Sequence, residues 1–147
     1  MKLLFTFIAI GLFALTNYGQ TIKIGENFEK YASNFKLSGI STKDNSHSYT
    51  SIKSIPSILY GRKVDKIIIS TIDNIIVRKI YLLLPISTDI DIPISIVTQV
   101  ENELSIKFAK KPKYYGAILD GVKISVSRNN DGITDYKDRI MVFYASR

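Results

Sequence analysis

The sequence predicts an α+β fold, a mostly antiparallel sheet with two helices packed on one face, and three observations predict it. Two β-branched runs, residues 64–72 and 75–84, flank Asp73-Asn74, a two-residue connection suited to a hairpin with positive φ. Two other segments, residues 25–35 and 93–106, carry apolar residues at helical spacing. Short runs bounded by turn residues follow each of them. The order is helix, strands, helix, strands, so a degenerate tandem helix-hairpin repeat is one reading of the chain, although no aligned identity joins the halves.

At the amino end, Met1-Lys2 gives a positive start, residues 3–15 are an apolar run, and the small Gly19 follows. This three-part layout predicts a secretory signal peptide over residues 1–19, cleaved after Gly19 or after Gln20. The run falls short of the ~20 apolar residues of a membrane-spanning helix, and the polar Thr16-Asn17-Tyr18 ends it. An uncleaved anchor is therefore the less favoured reading. Residues 20–147 then form a single α+β domain, large enough to bury one core.

Within that domain, Phe28, Tyr31, Ala32 and Phe35 make one helical stripe. Glu26 and Glu29 sit in its first turn, where the helix dipole favours negative charge, and Gly39 closes the segment. Residues 41–47 read as a polar loop and residues 48–54 as a short strand that Pro56 stops or makes an edge. Tyr60-Gly61-Arg62-Lys63 reads as a bend entering the central hairpin, with a rim contact for a partner as the alternative. The hairpin runs are apolar at nearly every position in places, as in strands covered on both faces, by the core alone or by core and partner. Ile90, Ile92, Ile94 and Ile96 alternate as in a strand, yet Pro93 cannot donate to a ladder. Val97, Val100, Leu104 and Phe108 continue from Ile94 at helical spacing, which predicts a helix over 93–106 with Asp91 near its cap. Residues 110–113 are a basic loop and 114–119 a strand. Val122, Ile124 and Val126 then alternate with polar residues as a half-exposed strand, 129–132 are a turn, and 139–145 the last strand.

Composition narrows the function classes. The chain has no cysteine, which removes disulfides, thiolate ligands, thiol nucleophiles and a lipid-bearing N-terminal cysteine. Its single histidine, His47, reads as solvated, so a zinc site lacks ligands. No nucleophile elbow, phosphate loop or dinucleotide fingerprint occurs. The net charge of +7, or +6 once Lys2 leaves with the leader, suits an anionic partner and equally suits plain solubility.

Three clusters carry candidate chemistry. Lys110, Lys111, Lys113, Tyr114 and Tyr115 form a candidate anionic-partner surface, lysines attracting phosphate or carboxylate and rings stacking on sugars or bases. A solvated helix end explains the same lysines, and nucleic acid is not an expected partner outside the cell. Residues 127–138 can be read as a calcium loop, with Ser127, Asn129, Asp131, Ile133, Asp135 and Asp138 as ligand positions and Gly132 at the sharp turn. Its Asn129-to-Asp135 core is similar to dockerin-type repeats, while an ordinary Asn-Asp-Gly turn between strands explains the same residues. Asp89 and Asp91 share a face if extended, as an acid–base pair would, and a helix cap is the simpler explanation.

Ile22-Lys23-Ile24-Gly25 before the first helix is similar to the helix entry of the outer-membrane assembly lipoprotein BamE and its relatives. The tandem helix-plus-hairpin order resembles the β-lactamase inhibitory protein family. Both resemblances imply binding of other proteins without catalysis. The chain lacks the lipid-bearing cysteine of the first and the disulfides of the second, and no functional residue carries over. The expectation is an exported, non-enzymatic binding or assembly module of the bacterial envelope, periplasmic or secreted and not integral to the membrane after processing. Its partner is another envelope or extracellular protein, or an anionic surface. One alternative is a small secreted hydrolase of an anionic glycan or wall polymer, with Asp89, Asp91, Asp131 or Asp135 as acid and base. The other is a secreted inhibitor of another protein.

Overall fold

A computed structural model describes residues 22–53, 58–128 and 136–146. The expected leader, Pro56 and the centre of the calcium reading (Asn129, Asp131, Ile133, Asp135) lie outside the described residues. A seven-residue 3-10 helix (Phe28–Asn34) opens the described fold. Five strands follow: β1 (Phe35–Ile40), β2 (His47–Ser51), β3 (Ile58–Leu59), β4 (Arg62–Ile72) and β5 (Ile75–Leu83). Helix α1 (Ile94–Leu104) comes next, then β6 (Ala109–Lys110), β7 (Tyr114–Leu119), β8 (Val122–Arg128) and β9 (Ile140–Ser146).

The strands form one mixed-length antiparallel sheet in the order β1-β2-β4-β5-β9-β8-β7-β6, with β3 attached to the start of β4. A 3-10 helix precedes one antiparallel meander and an α-helix the other, and the two meanders meet through their last strands. That seam registers Arg78 against Ala145 and Leu83 against Ile140. Asp73 and Asn74 join β4 to β5 with φ of 50° and 62°, the left-handed pair that a two-residue hairpin needs.

Residues directly opposed across a ladder share a sheet face. One face carries Val64, Ile67, Ile69, Tyr81, Leu83, Ile140, Val142, Ile124 and Val126. These belong to a single buried cluster with Phe28 and Tyr31 of the 3-10 helix and Ile96, Val97 and Val100 of α1. The reverse face carries Ile68, Ile80, Leu82, Met141 and Phe143, none of which joins that cluster.

Several elements differ from expectation for identifiable reasons. Gly25 (φ +90°) donates its N–H to Ile76 O at 2.8 Å, and Phe28 N donates to Asn74 O at 2.8 Å. These bonds hold the segment against the β4–β5 hairpin, so the helix starts only after Asn27, whose side chain accepts from Glu29 N. The tighter 3-10 spacing of about three residues per turn aligns Phe28 with Tyr31 and leaves Ala32 exposed. Phe35 is buried as expected, but it opens β1, and Gly39 marks a bulge within that strand and not the end of a helix. Helix α1 is capped by Pro93 with no side-chain cap bond, so Asp91 is not its cap. Its inward stripe is Ile96, Val97 and Val100, while Ile94 is exposed. His47 is exposed but begins β2, paired with Ile40 and Thr71. No helix among the described residues is long and apolar enough to cross a membrane.

Candidate functional site

The β6–β7 hairpin builds the site. Lys110 pairs with Tyr115, and Lys111 N donates to Tyr114 O at 2.8 Å, closing a tight loop that projects Lys111, Pro112 and Lys113. Pro112 pre-sets one backbone angle of that turn. Arg128 ends β8 on the side of the sheet that Tyr115 occupies, because Tyr115 faces Val126 and strand side chains alternate. Its guanidinium donates from Nη1 to the main-chain carbonyl of Asp89 and, at 3.3 Å, to that of Asp91. The loop before α1 is thereby tied to the end of β8.

A pocket of about 200 Å³ opens between these parts, lined by Lys110, Lys111, Lys113, Arg128, Tyr115 and Asp91, with Ile92 and Pro112 completing it. Four cationic side chains face it against the one carboxylate of Asp91. Arg128 directs these bonds to neutral main-chain carbonyls, and its charge also acts on the nearby Asp89 carboxylate. A concave cluster of one sign focuses the field and concentrates anions.

The loop is held by Asp89. Its two oxygens accept from Arg62 Nε and Nη2, each at 2.6 Å, and Oδ2 also accepts from Ile86 N at 2.9 Å. Hydrogen bonding from Arg62, and then from the Ile86 amide, holds the Asp89 carboxyl below its usual range. With both oxygens engaged, Asp89 is a structural anchor, not the acid or base of a pair with Asp91. Arg62 belongs to this buried pair and not to a partner-facing rim, and Tyr60 (φ 51°) and Gly61 (φ 70°) form the bend expected there.

No family model, curated protein or solved structure matches this chain.

The structure brings Lys110, Lys111, Lys113 and Tyr115 together and sends Tyr114 elsewhere. Tyr114 pairs with Ser127 on the reverse face and lines a second groove with Lys111, Gly116, Ala117, Ile118 and Lys123. Adjacent residues of a strand cannot serve one face. Of the calcium positions, Ser127 lies in β8 opposite Met141, and Asp138 sits in a turn with φ +62°. Among the described residues no group of three or more His, Asp or Glu side chains is placed to hold a metal. Arg128, the deepest cation of the pocket, was not picked out from sequence. Its parity with Ile124 and Val126 is the signal that could have found it.

One further cluster lies within the core. Lys79 Nζ donates to Ile22 O at 2.7 Å and sits over the rings of Tyr144 (4.4 Å) and Tyr81 (5.2 Å). Burial pushes the Lys79 amine down to about 8, the carboxylates of Glu103 and Glu26 opposing. Tyr60 Oη donates to Glu103 Oε2 at 2.9 Å, and burial pushes the Tyr144 hydroxyl up to about 12.

Proposed function

We propose that this protein is an exported, non-enzymatic binding module that holds an anionic group of an envelope or extracellular partner in the pocket between β6–β7 and the loop before α1. The observation that carries this reading is the convergence of Lys110, Lys111, Lys113 and Arg128 on one concavity of about 200 Å³. Lysines supply point charges, and an arginine presents a fork of donors to carboxylate, phosphate or sulfate. Tyr115 adds a ring at the wall, suited to the carbon face of a sugar or to an alkyl chain. We also read the two helix-plus-meander halves as a worn duplication with both helices over one sheet face. The strand order and the shared cluster of Phe28, Tyr31, Ile96, Val97 and Val100 support that reading. The leader over residues 1–19 supports export, and mass analysis of the mature protein should find Gln20 or Thr21 first. Intact Met1 would remove export from the proposal.

The experiment is retention on immobilised heparin, a sulfated polyanion. The triple variant Lys110→Glu, Lys111→Glu, Lys113→Glu should elute at much lower salt than the parent, with an unchanged melting temperature, since all three side chains are exposed. Equal retention of the two proteins would overturn the proposed site.

A further inference from the structure

We propose that the reverse face of the sheet, at its β7–β8 end, docks an acidic peptide segment of another protein that inserts an apolar side chain into the groove above Gly116. This surface is distinct from the basic pocket, although Lys111 borders both. The groove measures about 240 Å³ and is lined by Tyr114, Gly116, Ala117, Ile118, Lys111 and Lys123.

Cross-strand register shows how the groove is made. Gly116, Ser125, Phe143 and Ile80 stand opposite one another in a single row across four strands. Gly116, with no side chain at the end of that row, leaves the room that the groove occupies beside the Tyr114 ring. The row on one side is Ile118, Lys123, Ala145 and Arg78, and the row on the other is Tyr114, Ser127, Met141 and Leu82. The Tyr114 ring lies over Gly116 so closely that a Cβ there would stand 2.8 Å from it. Glycine is therefore what lets the ring form the groove wall.

Charge identifies the occupant. The strand positions of this face include Lys36, Lys66, Arg78 and Lys123, and the one carboxylate among its described strand residues, Asp65 in the bulge beside Lys66, is engaged by Arg139 at 2.8 Å, away from the groove. Arg78 runs beside the Phe143 ring, 6.0 Å from its centre, and its Nε is a buried donor with no hydrogen-bond partner. A second copy of this chain would set these cations against each other, which disfavours self-association. A membrane surface asks for protruding apolar side chains, whereas Ile80, Met141 and Phe143 are half-buried and only Ile118 stands proud in this groove. A convex segment bearing carboxylates around an aromatic or branched side chain fits both the shape and the sign.

The test is to pan a phage-displayed library of random linear peptides against the purified protein. Enriched peptides should combine Asp or Glu with an aromatic or branched aliphatic residue. Binding of a selected peptide should fall about tenfold or more in Gly116→Ala, which pushes the Tyr114 ring across the groove, and in Lys123→Glu. Neither change replaces a residue of the basic pocket, so heparin retention should fall far less than in the triple lysine variant and the melting temperature should stay as in the parent. Enrichment without acidic bias, or binding indifferent to both variants, would overturn the proposal. Sedimentation with phosphatidylglycerol vesicles that Ile118→Ser abolishes would assign the groove to a membrane and overturn it too. So would a dimer in solution that the same variant dissolves.

Discussion

Lys79 shows what a single residue costs and sets. Its amine is held within the core, and its depressed pKa means that the folded state disfavours the charged form relative to the unfolded chain. That penalty is fully present below about pH 8 and is relieved as pH rises towards the ordinary lysine value of 10.5. Burial raises the Tyr81 and Tyr144 hydroxyls, so the folded state binds protons that the unfolded chain releases above about pH 10, and stability falls there. Urea denaturation should therefore show stability rising from pH 8 to about 10 and then declining. Lys79→Met should be more stable than the parent by about 1 kcal/mol at pH 7 and should lose the rise. The opposite sign is expected at Asp89. Its pair with Arg62 is buried, with side chains 4% and 10% exposed, so Asp89→Ala should cost about 3–5 kcal/mol by leaving the guanidinium uncompensated. In the parent, the pair's contribution is present at neutral pH and is lost as pH falls through the lowered Asp89 value. These roles were not legible in the sequence. Arg62 and Asp89 stand 27 positions apart, with nothing local to join them. Tyr114 and Tyr115 looked like one aromatic pair until strand alternation separated them.

Among the elements, the β4–β5 hairpin was the most legible, because its turn chemistry and its β-branched runs agree. Asn74 holds φ +62°, so Asn74→Gly should leave stability equal or slightly higher, while Asn74→Val should lower it by about 1–2 kcal/mol in thermal unfolding. Strands β7, β8 and β9 were also legible to within a residue or two from their alternation. The failures were elements whose pattern is set by tertiary contacts. β1 shows only its first residue buried, so it has no period-two signal, and Phe35 was absorbed into the preceding stripe. The first helix was shortened and tightened by main-chain bonds to Ile76 and Asn74, which no composition reveals. Asp91 resembled a cap by position alone, whereas the structure gives it to the rim of the basic pocket. That pocket was three-quarters visible as a lysine run, and its arginine came from another strand.

In the molecule as a whole, one sheet joins both halves through β5 and β9, and the buried residues Tyr81, Leu83, Ile140 and Val142 lie along that seam. The two halves therefore share a core and should unfold together. Thermal unfolding followed by tyrosine fluorescence, in a chain without tryptophan, should give a single transition. Val142→Ala, at a fully buried position, should lower that one transition without splitting it. Two resolved transitions would show that the halves are independent. The two grooves flank β7 on opposite faces, so a partner in the basic pocket and a peptide on the reverse face can be held at once.

The seam strand is also the last to be made. A chain delivered amino end first, by a ribosome or through a translocation pore, carries two half-sheets with raw edges on β5 and β8 until residues 140–146 follow. A stop signal just before Ile140 would leave both edges open to pairing with neighbours, the template for aggregation. Newly made copies thus need shielding until residues 140–146 have emerged and paired with both edges.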